Sequence, residues 1–370
     1  MEEKSKCCER RVRDMRIRDI LVINPGSTST KIAIYTNQNE DVLFEENIIH
    51  DEEIILSFPN VASQREYRRE MILQMLEEDG YDLTNLSAVV GRGGMVYELA
   101  GGGYRVNERL CDRLASADIP QHASSLGGLL AYAIATPLGL PAYIYDSTMG
   151  CDLLDVVKLT GIAGVEKYGA THLLNSRAQA IKYAASIGRD YKDLQFIVCH
   201  MGGGITANAW RDGKVIDTAA YDDGPMAPER SGGIPLLLFK KLCFDGRHTE
   251  KDMEDLISGK GGIYSYLGTK DCLEVENRIE GGDDYAKLVY EAMALQVAKS
   301  VAGLSCVLKG QVDVIILTGG IARSKMLTDM ITEYCGHIGK IEVMAGEGEM
   351  EALAGGTLRI LMGEEIAKEY

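Results

Sequence analysis

Short apolar runs that end in small polar turns recur along this chain. Ile20-Leu-Val-Ile23 runs into Asn24-Pro-Gly-Ser-Thr-Ser-Thr-Lys31, and Phe196-Ile-Val-Cys199 into His200-Met-Gly-Gly-Gly-Ile-Thr206. Val312-Asp-Val-Ile-Ile-Leu317 runs into Thr318-Gly-Gly-Ile-Ala-Arg323. Such runs, bounded by turn residues, predict buried strands. The turns behind them are too small to be packing material. Glycine lets backbone N–H groups approach an anion closely, and Ser and Thr hydroxyls add donors. Three such turns on one chain predict a site that holds a nucleotide from several sides.

The first two runs share a longer plan. After the turn at 24–31 come Ile32-Ala-Ile-Tyr35, the polar turn Asn37–Asp41 and Val42-Leu-Phe44. After the turn at 200–204 come Ile205–Trp210, the Asp212-Gly213 turn and Lys214-Val-Ile216. Asp-Gly between two such runs is a strong hairpin signal. Strand, turn, strand, turn, strand thus appears twice, about half a chain apart, which predicts one β-sheet module used twice across a cleft. Between these modules the periodicity switches to helical. Helices are predicted over 65–79, 124–136, 173–187, 285–308 and 353–368, with further strands at 86–90 and 142–145. Strands alternating with helices predict an α/β fold with mixed sheets.

The order of the three turns resembles the sugar kinase, heat-shock chaperone and actin superfamily. Within it, Val22-Ile-Asn-Pro-Gly-Ser-Thr-Ser-Thr-Lys31 is similar to the opening of the carboxylate kinases, the acetate and butyrate kinases, and the match runs from about residue 20 to the C-terminus. The resemblance implies two similar ribonuclease-H-like, actin-like ATPase domains with mixed β-sheets around a nucleotide cleft. The first would span 20–165 with the C-terminal helix 350–370 packed back on it, and the second, nucleotide-binding, 166–349. Two commoner nucleotide signatures are absent: no Gly-x-x-x-x-Gly-Lys-Ser/Thr occurs, and no Gly-x-Gly-x-x-Gly opens a helix after a strand.

At 370 residues the chain has length for two cores. A net charge of −16 argues against a nucleic-acid partner and for a well-solvated cytoplasmic protein. An acidic protein that binds an anionic nucleotide and a carboxylate must also concentrate its cations locally. Nine cysteines without a Cys-x-x-Cys pair read as reduced thiols, not as a disulfide framework or zinc site. Residues 1–19 are mostly charged and read as a frayed extension rather than a signal peptide, with Met15 an alternative start. No apolar run approaches membrane-spanning length.

The candidate chemistry sits in the turns. Lys31 follows hydroxyls at Ser27, Thr28, Ser29 and Thr30, so it can neutralise phosphate while they donate. Arg92 lies in Gly91-Arg-Gly-Gly94 and Arg230 in Ala227-Pro-Glu-Arg-Ser-Gly-Gly233. A guanidinium flanked by glycines can be offered bidentately to a carboxylate or phosphoryl group. Asp146 ends a predicted strand, a common place for a catalytic carboxylate. His172, His122 and His200 stand beside motifs; His50, His248 and His337 lie in polar surroundings and take no role.

The resemblance adds roles to these positions. Asn24, Ser27, Ser29 and Lys31 fall where the carboxylate kinases keep phosphate-contacting residues. His200, Gly202, Gly203 and Gly204 form the second nucleotide turn, and Gly319, Gly320, Ile321 and Arg323 the third. One of Arg92 and Arg230 would take the substrate carboxylate and the other the transferring phosphoryl group. Arg230 matches the family pattern cleanly, whereas the family's arginine near Arg92 lies slightly earlier. His172 lines up with a histidine that binds the phosphoryl group in flight, and His122 with a second active-site histidine. A carboxylic acid is already ionised at pH 7, so Asp146 would hold Mg²⁺ or orient His172 or an arginine rather than act as base. Glu349 and Glu351 fall near a Mg²⁺-linked glutamate, with Glu349 favoured.

These expectations converge on phosphoryl transfer from ATP to a short-chain carboxylate, giving ADP and an acyl phosphate. Gly224-Pro-Met-Ala-Pro-Glu-Arg-Ser-Gly232 resembles the butyrate branch. Acetate, propionate or a branched acid such as 2-methylpropanoate are the alternative substrates. An actin- or chaperone-like ATPase is the alternative of another class. The expected partners are the carboxylate, the acyl phosphate and further copies of the chain.

Overall fold

The structure, a computed structural model, describes residues 19–36 and 42–370; the expected extension before Asp19 and the polar turn Asn37–Asp41 lie outside the described residues. Asp19 itself opens a strand, and its carboxylate accepts a hydrogen bond from the Tyr81 hydroxyl at 2.6 Å. The chain divides into two compact units. One comprises the described residues up to Tyr97 with Gly102–Ser147 and Met350–Tyr370; the other comprises Glu98–Gly101 and Thr148–Glu349. The sequence-based boundary at 165/166 puts residues 148–165 in the first half, whereas the structure groups them with the second unit.

The first unit is built on a six-stranded sheet. Its strands are β1 (Asp19–Pro25), β2 (Ser29–Thr36), β3 (Val42–Ile49), β4 (Leu86–Arg92), β5 (Gly103–Arg105) and β6 (Ala142–Tyr145), in the order β3-β2-β1-β4-β6-β5. β1, β2 and β3 form an antiparallel meander, whereas β4 and β6 run parallel to β1. The second unit has β7 (Phe196–Met201), β8 (Ile205–Arg211), β9 (Lys214–Ala219), β10 (Val314–Gly319) and β11 (Lys340–Ala345), in the order β11-β10-β7-β8-β9. Again the meander β7-β8-β9 is antiparallel and β10 and β11 run parallel to β7. Removing β5 leaves two sheets of one design, the doubled module that the sequence predicts.

Burial follows the apolar runs. β7 and β10 are buried at every residue, as central strands covered on both faces must be. The long helix Asp284–Val307 lays Ala286, Val289, Tyr290, Met293, Val297 and Val301 on the second sheet's core. The terminal helix corrects one expectation. It spans Glu349–Leu361 rather than 353–368. Gly363 takes φ +75°, which ends the helix, and the chain returns so that the Lys368 N–H donates to the Gly103 carbonyl at 2.9 Å.

Candidate functional site

In the first unit the turn between β1 and β2 presents Ser27 and Thr28 to solvent, with Asn24 and Ser29 half-buried. The Gly26 N–H donates to the Ser29 carbonyl at 2.8 Å and closes it. Lys31, on β2, reaches Glu45 at 2.8 Å, with both side chains about 40% exposed. A pair that open to water is worth at most ~1 kcal/mol, so Lys31 remains available to an anion.

Arg92 is the last residue of β4 and pairs in register with Tyr145, the last of β6. Arg92 and Asp146 therefore leave the same ends of neighbouring parallel strands. The arrangement depends on small residues. A Cβ on Gly127 would lie 2.4 Å from the Arg92 N, and one on Gly93 would lie 2.6 Å from the Ser147 Cα. Asp146 is 1% exposed and takes φ +45°, unusual for a residue with a Cβ. Its Oδ1 accepts from the Gly102 N–H at 2.7 Å, while its own N–H donates to the Gly102 carbonyl at 3.1 Å. His122 is exposed just before the helix Ser125–Ala135. Its Nδ1 accepts from the Ser124 N–H at 3.1 Å, which leaves Nε2 as the protonated nitrogen of the neutral ring.

In the second unit the predicted histidines and the second turn come together. The rings of His172 and His200 stack at 4.0 Å between centroids with 18° between planes. Both are held from behind. The His172 Nδ1 lies 2.9 Å from the Thr206 hydroxyl, and the His200 Nδ1 lies 3.0 Å from the Asn175 Oδ1. Thr206 belongs to a buried chain: the Thr171 hydroxyl lies 2.9 Å from the Thr206 hydroxyl and donates to the Asn208 Oδ1 at 2.8 Å, which also accepts from Thr218. The Asn175 amide donates to the Gly346 carbonyl at 3.3 Å and to that of Glu347, tying His200 to the segment that leads to Glu349. Gly319 and Gly346 exchange two backbone hydrogen bonds of 3.1 Å, so the third turn joins the same segment. Beyond Gly319, Gly320 and Arg323 are exposed and Ile321 is half-buried against the core.

Arg230 docks on the second turn. The Glu229 N–H donates to the Gly203 carbonyl at 3.3 Å, and a Cβ on Gly204 would lie 2.2 Å from the Arg230 Cζ, so only glycine admits the guanidinium there. The guanidinium lies over the Tyr221 ring, 4.5 Å from its centroid. Its Nε is buried without a hydrogen-bond partner, and no carboxylate pairs with it among the described residues. Neighbouring Glu229 is instead engaged by Lys270 at 2.7 Å. Burial pushes the Arg230 pKa down.

Sequence reasoning missed the residues behind the site. Thr206 and Asn175 lay inside the motifs His200–Thr206 and His172–Arg177, yet only their neighbours had been given roles. Tyr221, Arg68 and His50 carried no local signal. Among the described residues no three His, Cys, Asp or Glu side chains gather as a metal-ligand set. Mg²⁺ held mainly by phosphate oxygens and water needs only one or two carboxylates, so a single glutamate such as Glu349 is compatible with it.

Two mixed sheets of one design thus carry glycine-rich turns on their first hairpins, and in the second unit Arg230 is seated on that turn. The sequence profile of the Acetokinase family matches residues 156–343. A probable butyrate kinase of Listeria monocytogenes is 42% identical over 354 residues, covering 95% of this chain and 99% of the relative. The chain belongs to the acetokinase family. The fold agrees with two solved structures. The Porphyromonas gingivalis acetate kinase superposes with a TM-score of 0.78 at 20% identity, covering 93% of this chain and 100% of that one. A propionate kinase from Francisella tularensis gives 0.73 at 20% identity, covering 92% and 98%. Among the described residues no helix is long and apolar enough to cross a membrane.

Proposed function

We propose that this protein transfers the γ-phosphoryl group of ATP to a short-chain carboxylate, with butanoate preferred. One substrate carboxylate oxygen attacks the γ-phosphorus, the bond from that phosphorus to the β–γ bridging oxygen breaks, and ADP and butanoyl phosphate result. No proton has to move, since the acid is ionised at neutral pH. Catalysis then reduces to positioning and to stabilising charge on the equatorial oxygens.

The observation that carries this reading is Arg230: desolvated, backed by Tyr221, without a carboxylate partner, and seated on the second phosphate turn. Arg230 and His172 stabilise the phosphoryl group in transfer, and Arg92 takes the substrate carboxylate. Turns 24–31, 200–204 and 319–323 hold the nucleotide. Glu349 would hold Mg²⁺, with Asp146 as the alternative, and the cation's part is to neutralise the β- and γ-phosphate oxygens. His122 contributes a neutral Nε2–H donor. The 42% identical relative, itself a probable butyrate kinase, supports the choice of acid. The reading places the enzyme in the cytoplasm, and it includes self-association. Leu236, Leu237, Leu238 and Phe244 are strongly exposed on and just after the helix Leu236–Cys243, and a second copy would cover them.

The test is whether ADP release depends on the acid. The proposal expects turnover of ATP only when a short carboxylate is supplied. An ATPase rate indifferent to every carboxylate would overturn it and favour the chaperone-like alternative.

A further inference from the structure

The turn between β1 and β2 has a buried cation beneath it. Arg68 stands on the helix Arg65–Glu78 and is 0% exposed. Its Nη1 donates to the carbonyls of Gly26 at 2.9 Å and Ser29 at 2.8 Å and to the Thr30 hydroxyl at 3.0 Å. Its Nη2 donates to the Ser27 carbonyl at 2.7 Å and to the Gln64 Oε1 at 2.8 Å, and its Nε donates to the same Gln64 oxygen at 3.0 Å. Every partner is a neutral oxygen, and no carboxylate pairs with Arg68 among the described residues.

A buried ion without a counter-ion is costly unless something else offsets it. Three carbonyl dipoles, a hydroxyl and an amide oxygen satisfy the donors of Arg68, but they do not cancel its charge. Burial accordingly lowers its pKa to about 10, which still leaves it charged at neutral pH. His50 adds no positive charge. It is 3% exposed, lies 2.7 Å from the Thr30 hydroxyl through Nε2, and burial together with Arg68 pushes its pKa down to about 4, so it is neutral. One formal positive charge therefore sits under a turn rich in hydroxyls.

The geometry has a second consequence. In a trans peptide the N–H of the next residue points opposite to the carbonyl. With the Gly26 and Ser27 carbonyls turned onto Arg68, the N–H groups of Ser27 and Thr28 face away from it, toward the solvent side of the turn. A single side chain thus both charges the turn and orients its donors.

We propose that Arg68 is the positioning residue of this phosphate turn: it fixes the outward aim of the Ser27 and Thr28 amides, and its uncancelled charge is completed by a nucleotide phosphate. The inference rests on the reading that the turn holds phosphate. It does not depend on which acid is phosphorylated.

The test compares Arg68→Lys and Arg68→Met with wild type in full-length protein, using ADP and ATP as probes. Calorimetric affinity for ADP is measured along with kcat and KM for both substrates. An ammonium keeps the charge but cannot reach three carbonyls in a fixed fork. Arg68→Lys should therefore lower ADP affinity and kcat/KM for ATP about tenfold, and leave KM for the carboxylate within about twofold. Arg68→Met, which loses the charge as well, should bind ADP more weakly still. If Arg68→Met does not fold, Arg68→Lys alone decides. A drop in melting temperature with wild-type ADP affinity in the folded Arg68→Lys protein would make Arg68 a structural brace and overturn the proposal. Should wild type bind ADP yet phosphorylate no acid, the proposed reaction fails while the ADP comparison still reads the role of Arg68.

Discussion

In the proposed reaction, Arg230 is the residue on which the chemistry turns. If it stabilises charge that develops only during transfer, Arg230→Ala should lower kcat by a factor on the order of 10²–10⁴. KM for ATP should change little if, as proposed, the glycine turns hold the nucleotide. Arg230→Lys should recover little, since one ammonium does not reproduce a planar fork over Tyr221. Steady-state kinetics of the two variants check both points, and near-normal turnover by a folded Arg230→Ala would reduce the arginine to a structural part.

His50 gives a prediction in pH. Its ring is held neutral in the folded protein, with the pKa pushed down from 6.5 to about 4. The unfolded chain therefore binds a proton below pH 6.5 while the folded one does not until near pH 4. Stability is complete above 6.5 and falls through that window by roughly 3 kcal/mol from this group alone. His50→Gln should flatten the melting temperature between pH 6.5 and 4 relative to wild type; identical slopes would show that His50 is not the group responsible.

The same residues mark how far single positions were legible. Arg230, His172 and the glycines could be singled out as candidates because each shares a short segment with a turn that the structure places beside it. Arg68 did not. Arg65-Glu-Tyr-Arg-Arg-Glu70 reads as a solvated helix face, and the partners that bury Arg68 lie about forty residues earlier. His50 was passed over for a related reason: its neighbours in sequence are polar, but its neighbours in space are Thr30, Arg68 and the Tyr67 ring.

Among elements, the helix Ser125–Ala135 places Arg92 through a glycine contact. Gly127 meets the Arg92 backbone, and a Cβ there would approach its N at 2.4 Å and its O at 2.5 Å. Two effects of Gly127→Ala oppose each other. Alanine favours the helix by about 1 kcal/mol, whereas overpacking against an immovable backbone costs about 1–3 kcal/mol. The clash should win, giving a net loss in chemical denaturation together with a lower kcat, because β4 and the helix must part where Arg92 emerges. An unchanged midpoint would mean that the helix shifts freely.

Elements with long or unbroken patterns were readable: the central strands, the helix 285–308 and the doubled hairpins. The stretch 236–280 was not. It folds as four short helices, Leu236–Cys243, Glu250–Ile257, Gly262–Leu267 and Cys272–Glu280, each too brief to display a full period. The three-residue β5 and the early end of the last helix escaped for similar reasons, since one glycine at positive φ outweighs an otherwise helical composition.

At the scale of the molecule, duplication is the main structural fact. A six-stranded and a five-stranded sheet share one five-strand design and carry turns of similar composition, and the second unit adds a docked arginine and a stacked histidine pair. Repetition was legible because the strand–turn–strand rhythm recurs with its glycines. The division itself lies elsewhere than the sequence suggests: the second unit takes up the chain at Thr148, not near residue 166.

The central claim is phosphoryl transfer to a four-carbon acid. One measurement reaches it most directly: kcat/KM across acetate, propionate, butanoate and 2-methylpropanoate with MgATP, the acyl phosphate being trapped as its hydroxamate. The account predicts hydroxamate formation with a higher kcat/KM for the four-carbon acids than for acetate. A clear preference for acetate would contradict the butanoate assignment, and the absence of hydroxamate with every acid would contradict the reaction itself.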